Sequence, residues 1–187
     1  MTHLNEVDWS QLPVPDDDGA AAHLTGSKLK SVNLPATNGP KIDLASLDGM
    51  VVIYIYPLTG RPDTPLPDGW DGIPGARGCT PQSCAFRDHH ADLKALGITH
   101  LFGLSTQSTE YQFEAAERMH LPFPLLSDKE LNFTKTHQLP TFDVEGMTLL
   151  KRMALIVIDR KIVKTFYPVF PPDRNADDVM DWVKSQS

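Results

Sequence analysis

Two cysteines, Cys79 and Cys84, are the only thiols in a chain of 187 residues, and they stand five positions apart. A cysteine becomes a nucleophile or a metal ligand as the thiolate. A helix N-terminus favours that form through its unpaired N–H groups and the positive end of its dipole. Thr80-Pro81 has the form of an N-cap followed by proline at the first helical position. Cys79 is therefore expected one residue before the cap, facing that end of the helix, with Arg77 adding positive charge nearby. Cys84 falls about four residues inside the same helix. It is expected to be a less activated and more buried thiol, suited to a second step. If both cysteines were helical, they would lie about 7.5 Å apart along the axis and roughly 8–9 Å apart between Cα atoms. A disulfide spans less than about 7 Å, so bonding the two requires the first turn to unwind.

Other chemistries compete for these residues. Two small buried core thiols are common in globular proteins. Cys79, Cys84, His89 and His90 also offer sulfur and nitrogen ligands, but a structural zinc site favours two short knuckles. One straight helix cannot wrap four ligands around an ion, so neither a metal nor a cofactor is expected. The CxxxxC spacing also departs from the CxxC of thioredoxin-type redox motifs.

The elements that must hold these thiols follow from patterning. Residues 50–56 (MVVIYIY) form a continuous apolar, β-branched and aromatic run, the mark of a strand covered on both faces. Residues 57–81 contain six prolines and five glycines, which forbids a long helix and predicts an irregular loop. A helix is expected from Thr80-Pro81 to about Leu96, stopped by Gly97. A strand follows over 98–105, then a helix over 106–120. Residues 151–158 and 161–167 flank Asp159-Arg160 as an antiparallel hairpin. A closing helix over 175–184 has Asn175 as its cap. This order predicts an α/β fold with a central mixed sheet flanked by helices. The thiols fall at the carboxyl end of its first long strand, where sites in such sheets gather. Residues 1–28 are polar, with an Asp16-Asp17-Asp18 run, and are expected as a loosely packed N-terminal extension to a single domain over 29–187.

Lys and Arg number 17 against 24 Asp and Glu, a formal charge of −7. That excess of acid argues against a nucleic-acid partner. Hydrophobic residues at 41% support a packed core. No apolar run is long enough to span a membrane, and the first residues have no secretory-signal pattern. A cytoplasmic monomer or small homo-oligomer is the simplest expectation, and in a reducing compartment paired cysteines point to redox chemistry or metal more than to a structural staple.

The segment from Gly78 to Asp88 (GCTPQSCAFRD) resembles the active-site stretch of the bacterioferritin comigratory protein (Q-type) peroxiredoxins. The resemblance extends over about residues 28–185. It includes Leu44–Gly49 leading into the apolar strand, LPFPLLSD at 121–128, and KRMALIVID at 151–159. It implies a thioredoxin-like fold and a peroxidase that acts on hydrogen peroxide or organic hydroperoxides. Cys79 matches the peroxidatic cysteine, which becomes a sulfenic acid. Cys84 matches the resolving cysteine, which closes an intramolecular disulfide that a thioredoxin-like reductant then opens. Arg152 matches the arginine that stabilises the thiolate and holds the peroxide. The family pattern PxxxTxxC is broken, because Gly72 and Ala76 stand where its proline and threonine belong. The proline after the strand is Pro57, so about fifteen residues are inserted, giving a 58–76 loop insertion that serves as a lid or docking loop or as a surface elaboration. Thr59, Thr64 and Thr80 are the candidates to supply the missing hydroxyl. Beside the peroxidase stand two alternatives, a thioredoxin-like protein thiol-disulfide oxidoreductase and a non-catalytic redox-sensing interaction module. Arg152 and the absence of CxxC favour the peroxidase.

Overall fold

The computed structural model describes residues 7–187, so the first six residues of the N-terminal extension lie outside the described residues. Strands β1 (Asn33–Ala36), β2 (Gly39–Asp43) and β3 (Met50–Ile55) precede the loop; helices α1 (Cys79–Asp88) and α2 (His90–Ala95) follow it. Then come β4 (Ile98–Ser105), α3 (Thr109–Arg118), β5 (Leu125–Ser127), α4 (Asn132–His137), β6 (Thr141–Val144), β7 (Met147–Leu150), β8 (Met153–Ile158), β9 (Lys161–Phe166) and α5 (Asn175–Ser185).

β3 explains its own composition. Alternate side chains leave a strand on opposite faces. Val51, Ile53 and Ile55 enter one apolar cluster with Leu24, Leu34 and Phe133. Val52 and Tyr54, with Tyr56 just beyond, enter the other with Cys79, Phe86, Leu93 and Val179. Both faces are covered, so every second position must be apolar on each side. β3 lies near the middle of a seven-stranded mixed sheet ordered β2-β1-β5-β4-β3-β8-β9. It runs parallel to β4 and antiparallel to β8. The hairpin expected at Asp159-Arg160 joins β8 to β9. Both turn residues have positive φ, 47° and 70°, which matches the twist of a two-residue hairpin connection.

Several boundaries depart from expectation. The single helix to Leu96 is two helices, because His89 leaves helical geometry at φ −98°, ψ 7°. The break lets α1 pack on α5 while α2 packs on β4, which one straight rod could not do. The 106–120 helix starts only at Thr109, because the Ser108 side chain caps it by accepting from the Tyr111 amide. The polar N-terminal segment is not loose where it is described. Leu24 and Leu29 are buried, and Gly26 N–H donates to Ile162 O while Ile162 N–H donates to Ser27 O. These bonds cover the open edge of β9, which would otherwise present unpaired backbone groups.

α4 contributes a pH-sensitive contact to that same segment. His137 Nε2 accepts from the Lys30 amide at 3.0 Å, and its Nδ1 lies 3.1 Å from Phe133 O. Nδ1 must therefore carry the only ring proton. Burial pulls the His137 imidazole below its ordinary value, against the Phe133 carbonyl. The unfolded chain thus takes up this proton first, at about pH 6.5. The contribution is fully present above that pH and is lost as pH falls toward the depressed folded value. Urea denaturation of wild type and His137→Phe from pH 7.5 to 5 is expected to show steeper acid destabilisation in the wild type. Parallel curves would remove His137 as the cause.

Candidate active site

α1 begins two residues earlier than the Thr80 cap predicts. Gly78 is the cap residue, with φ of 116°, a conformation that residues with a Cβ rarely adopt. Space enforces the same choice. A Cβ at Gly78 would lie 2.6 Å from Pro172 Cγ and 2.9 Å from Trp9 Cη2. Cys79 is consequently the first helical residue rather than a loop residue, and it packs in the apolar cluster beneath β3. Only 3% of it is exposed.

Two N–H donors converge on its sulfur. Arg152 Nη2 lies 3.2 Å from Cys79 Sγ, and the Leu58 backbone amide lies 3.4 Å from it. Arg152 sits just before β8 rather than on a strand face, and only 3% of it is exposed. Its guanidinium makes four hydrogen bonds. Nη1 donates to Gln82 Oε1 at 2.5 Å, Nη2 to Ala76 O at 2.9 Å, and Nε to Gly75 O at 3.3 Å. A planar fork can serve four acceptors from one fixed position, which an ammonium cannot.

Gln82 and Asn175 complete this network and were not anticipated. Gln82 Nε2 donates to Asn175 Oδ1 at 2.9 Å, and both residues are fully buried. Asn175 therefore does not cap α5, as its position suggested, because its side-chain oxygen is engaged by α1. Gln82 could have been found from spacing: it lies three residues after Cys79, on the same face of the helix. Tyr54 stabilises the floor by donating to Ser83 Oγ at 3.0 Å and stacking on Phe86 at 4.6 Å between centroids. Burial pushes its phenol well above the ordinary value.

Cys84 is half-buried, whereas Cys79 is buried, so the expectation that Cys84 is the more buried thiol is reversed. Cys84, the sixth residue of the helix, lines a cavity, whereas Cys79 also packs into the cluster beneath β3. Even so, partial burial pushes the Cys84 thiol above its ordinary value, partly offset by Arg87. Both cysteines are thiols in this structure.

None of the three threonines offered for the missing hydroxyl bonds to the sulfur among the described residues. Thr59 is turned away, its amide and hydroxyl both 3.1 Å from Gln107 Oε1. The Thr64 hydroxyl faces Asp63, and Thr80 lines the cavity. The closed Thr59–Gln107 pair instead fixes the chain so that the preceding amide, Leu58 N–H, aims at Cys79.

The loop after β3 is itself built. Trp70 is buried with Ala76 and Leu149, and Leu58, Ile73, Phe142 and Val144 pack around them. The Asp68 amide donates to Glu145 Oε1, so the loop rests on the β6–β7 hairpin. Its inner side and the start of α1 enclose a cavity of about 640 Å³ onto which Cys79 and Cys84 both open. A second cavity of about 350 Å³ lies behind Arg152, between Pro15, Pro74 and Phe142, and touches neither cysteine.

The Redoxin family model matches residues 24–180. Chloroplastic peroxiredoxin Q of Sedum lineare is 30% identical, over 99% of this chain and 91% of that protein. Peroxiredoxin Bcp of Escherichia coli (strain K12) is 25% identical, over 83% of this chain and 92% of that one. Among solved structures, peroxidoxin BcpB of Mycobacterium tuberculosis superposes with a TM-score of 0.72 at 25% identity, covering 88% of this chain and 99% of its own.

Proposed function

This chain belongs to the redoxin family as a Q-type peroxiredoxin, a thiol peroxidase, and on that premise we propose how its own residues divide the reaction. The Cys79 thiolate attacks one oxygen of a hydroperoxide ROOH, and the O–O bond breaks. Sulfur is oxidised to the sulfenic acid, and the leaving alkoxide takes a proton to become ROH. Arg152 Nη2 and the Leu58 amide hold negative charge on the sulfur beforehand and on the peroxide oxygens during attack. The sulfur of Cys84 then attacks the Cys79 sulfenic sulfur, releasing water and forming the Cys79–Cys84 disulfide. An external dithiol of thioredoxin type reduces it.

One observation carries this division: Arg152 Nη2 stands 3.2 Å from Cys79 Sγ inside a buried network, while Cys84, the more exposed of the two thiols, lies off that network. The first thiol is placed for activation and the second for access. A helical first turn separates the two, so resolution includes local unwinding of α1. We place the protein in a cytoplasmic, reducing setting, as a monomer or small homo-oligomer without nucleic-acid or membrane partners. The formal charge of −7 supports the former absence. Among the described residues, no helix is long and apolar enough to cross a membrane.

The test uses Cys84→Ser. After one equivalent of hydrogen peroxide, this variant is expected to keep a sulfenic acid on Cys79 that a cyclic 1,3-diketone captures. Wild type should give an intramolecular disulfide under the same conditions. A disulfide-free wild type with a persistent sulfenic acid would remove Cys84 from the resolving role.

A further inference from the structure

We infer that the cavity over the thiols selects organic hydroperoxides that carry a carboxylate, through Arg61 on the loop between β3 and α1. The inference rests on the peroxidase reading above and names the substrate class of that site. Hydrogen peroxide occupies a small fraction of about 640 Å³, whereas cavities of roughly 300–1,000 Å³ suit drug-sized ligands. The walls are mixed. Leu58, Leu66, Trp70 and Met119 supply apolar surface, which suits the carbon body of an organic hydroperoxide.

The charge on those walls runs against the rest of the protein. The chain carries a formal −7, yet four arginines line this cavity and, among the described residues, its lining includes no acidic one. Two of the four are neutralised by neighbours. Arg77 pairs with Asp71 at 2.8 Å, and Arg87 with Asp88 at 2.9 Å. Arg61 and Arg118 share one carboxylate, Glu114, which leaves one positive charge without an ion-pair partner of its own among the described residues.

That charge is on Arg61. Arg118 donates twice to Glu114 and once to Gly60 O. Arg61 reaches Glu114 only through its buried Nε, as a 3.5 Å ion pair that makes no hydrogen bond. Its guanidinium carbon lies over the Tyr111 ring, 4.2 Å from the centroid. A cation–π contact of this kind holds the guanidinium in place, and its two Nη groups are the donors left for a bidentate anion. A carboxylate there would complete Arg61 while its hydroperoxide end reaches Cys79 at the other side of the cavity. The reaction balances as before: ROOH with the Cys79 thiolate and a proton gives ROH and the sulfenic acid, and the carboxylate is unchanged.

A matched pair of substrates tests this: cumene hydroperoxide and the same molecule with a para-carboxylate. The rate constant for Cys79 oxidation, followed by stopped-flow fluorescence at low ionic strength, is expected to be about tenfold higher for the acid. Arg61→Gln is expected to bring the ratio to about one or below. Glu114→Gln, which removes the competing carboxylate, should raise it. Opposite shifts in one ratio cannot come from general damage to the fold. A wild-type ratio near one, with both compounds reacting rapidly, would overturn the inference and leave the peroxidase reading standing. Failure of hydrogen peroxide and both organic compounds to oxidise Cys79 faster than free cysteine would overturn both.

Discussion

Replacing Cys79 with serine is expected to abolish peroxide reduction, with the fast phase of oxidation lost altogether. The surrounding geometry explains why nothing else substitutes. The two donors that converge on position 79, Arg152 Nη2 and Leu58 N–H, are aimed at one atom. Serine would accept the same hydrogen bonds, but its hydroxyl is not a usable nucleophile without an adjacent base, and none of the groups hydrogen-bonded to Sγ is basic. A fall of at least about a thousandfold is expected, equivalent to about 4 kcal/mol of barrier. Stopped-flow oxidation by hydrogen peroxide checks it. Retention of even a tenth of the wild-type rate would assign the chemistry elsewhere, with Cys84 the remaining thiol.

Arg152→Lys is expected to lose about a hundredfold to a thousandfold in the same measurement, the range seen when one preorganised donor to a developing anion is removed. The conservative change keeps the positive charge, so a purely Coulombic role would predict near-normal rates. Here the charge is the lesser part. A lysine ammonium is a point donor, and it cannot bond Gly75 O, Ala76 O, Gln82 Oε1 and Cys79 Sγ together as Arg152 does. Acceptors left without a donor in a buried site cost about 1–3 kcal/mol each, so the variant should also unfold at lower denaturant. The two losses separate by conditions. Rates measured well below the variant's transition report the site alone, and a normal rate there would reduce Arg152 to a structural clamp.

Much of this arrangement was legible before any coordinates. The apolar run at 50–56 marks the central strand because both faces of β3 are covered, and Asp159-Arg160 marks the β8–β9 turn because two left-handed residues suit it. Cys79 and Arg152, 73 positions apart, were singled out by residue type and resemblance, and the fold brings them into contact. Other features had no readable signal. β1 and β2 are short and each contains a proline, so pairing with a neighbour, rather than propensity, makes them strands. The start of α1 was displaced because steric closure around Gly78, from Trp9 and Pro172, outweighs the cap preference of Thr80. Long-range polar partners were invisible for the same reason. Asn175 has the composition of a cap, and only the docking of α5 against α1 turns it toward Gln82. The loop between β3 and α1 was expected to be irregular, and it is; that it hides a tryptophan against a hairpin 80 residues further on depends on tertiary packing alone.

The intact first turn of α1 sets a clock. On the roles proposed above, once Cys79 carries a sulfenic acid, a first-order and a second-order fate compete for it. One is opening of the turn, at a rate intrinsic to the helix, which delivers the sulfur to Cys84. The other is a second encounter with peroxide, which gives a sulfinic acid that thiols do not reduce. Only the second scales with peroxide concentration, so the ratio of the two rate constants defines a threshold. The share of molecules lost per turnover rises with peroxide and reaches one half at that concentration. The helix that activates the thiol, through Gly78, Gln82 and the bonds to Arg152, therefore also limits the dose the enzyme survives: any change that tightens α1 should quicken the first step and lower that threshold together.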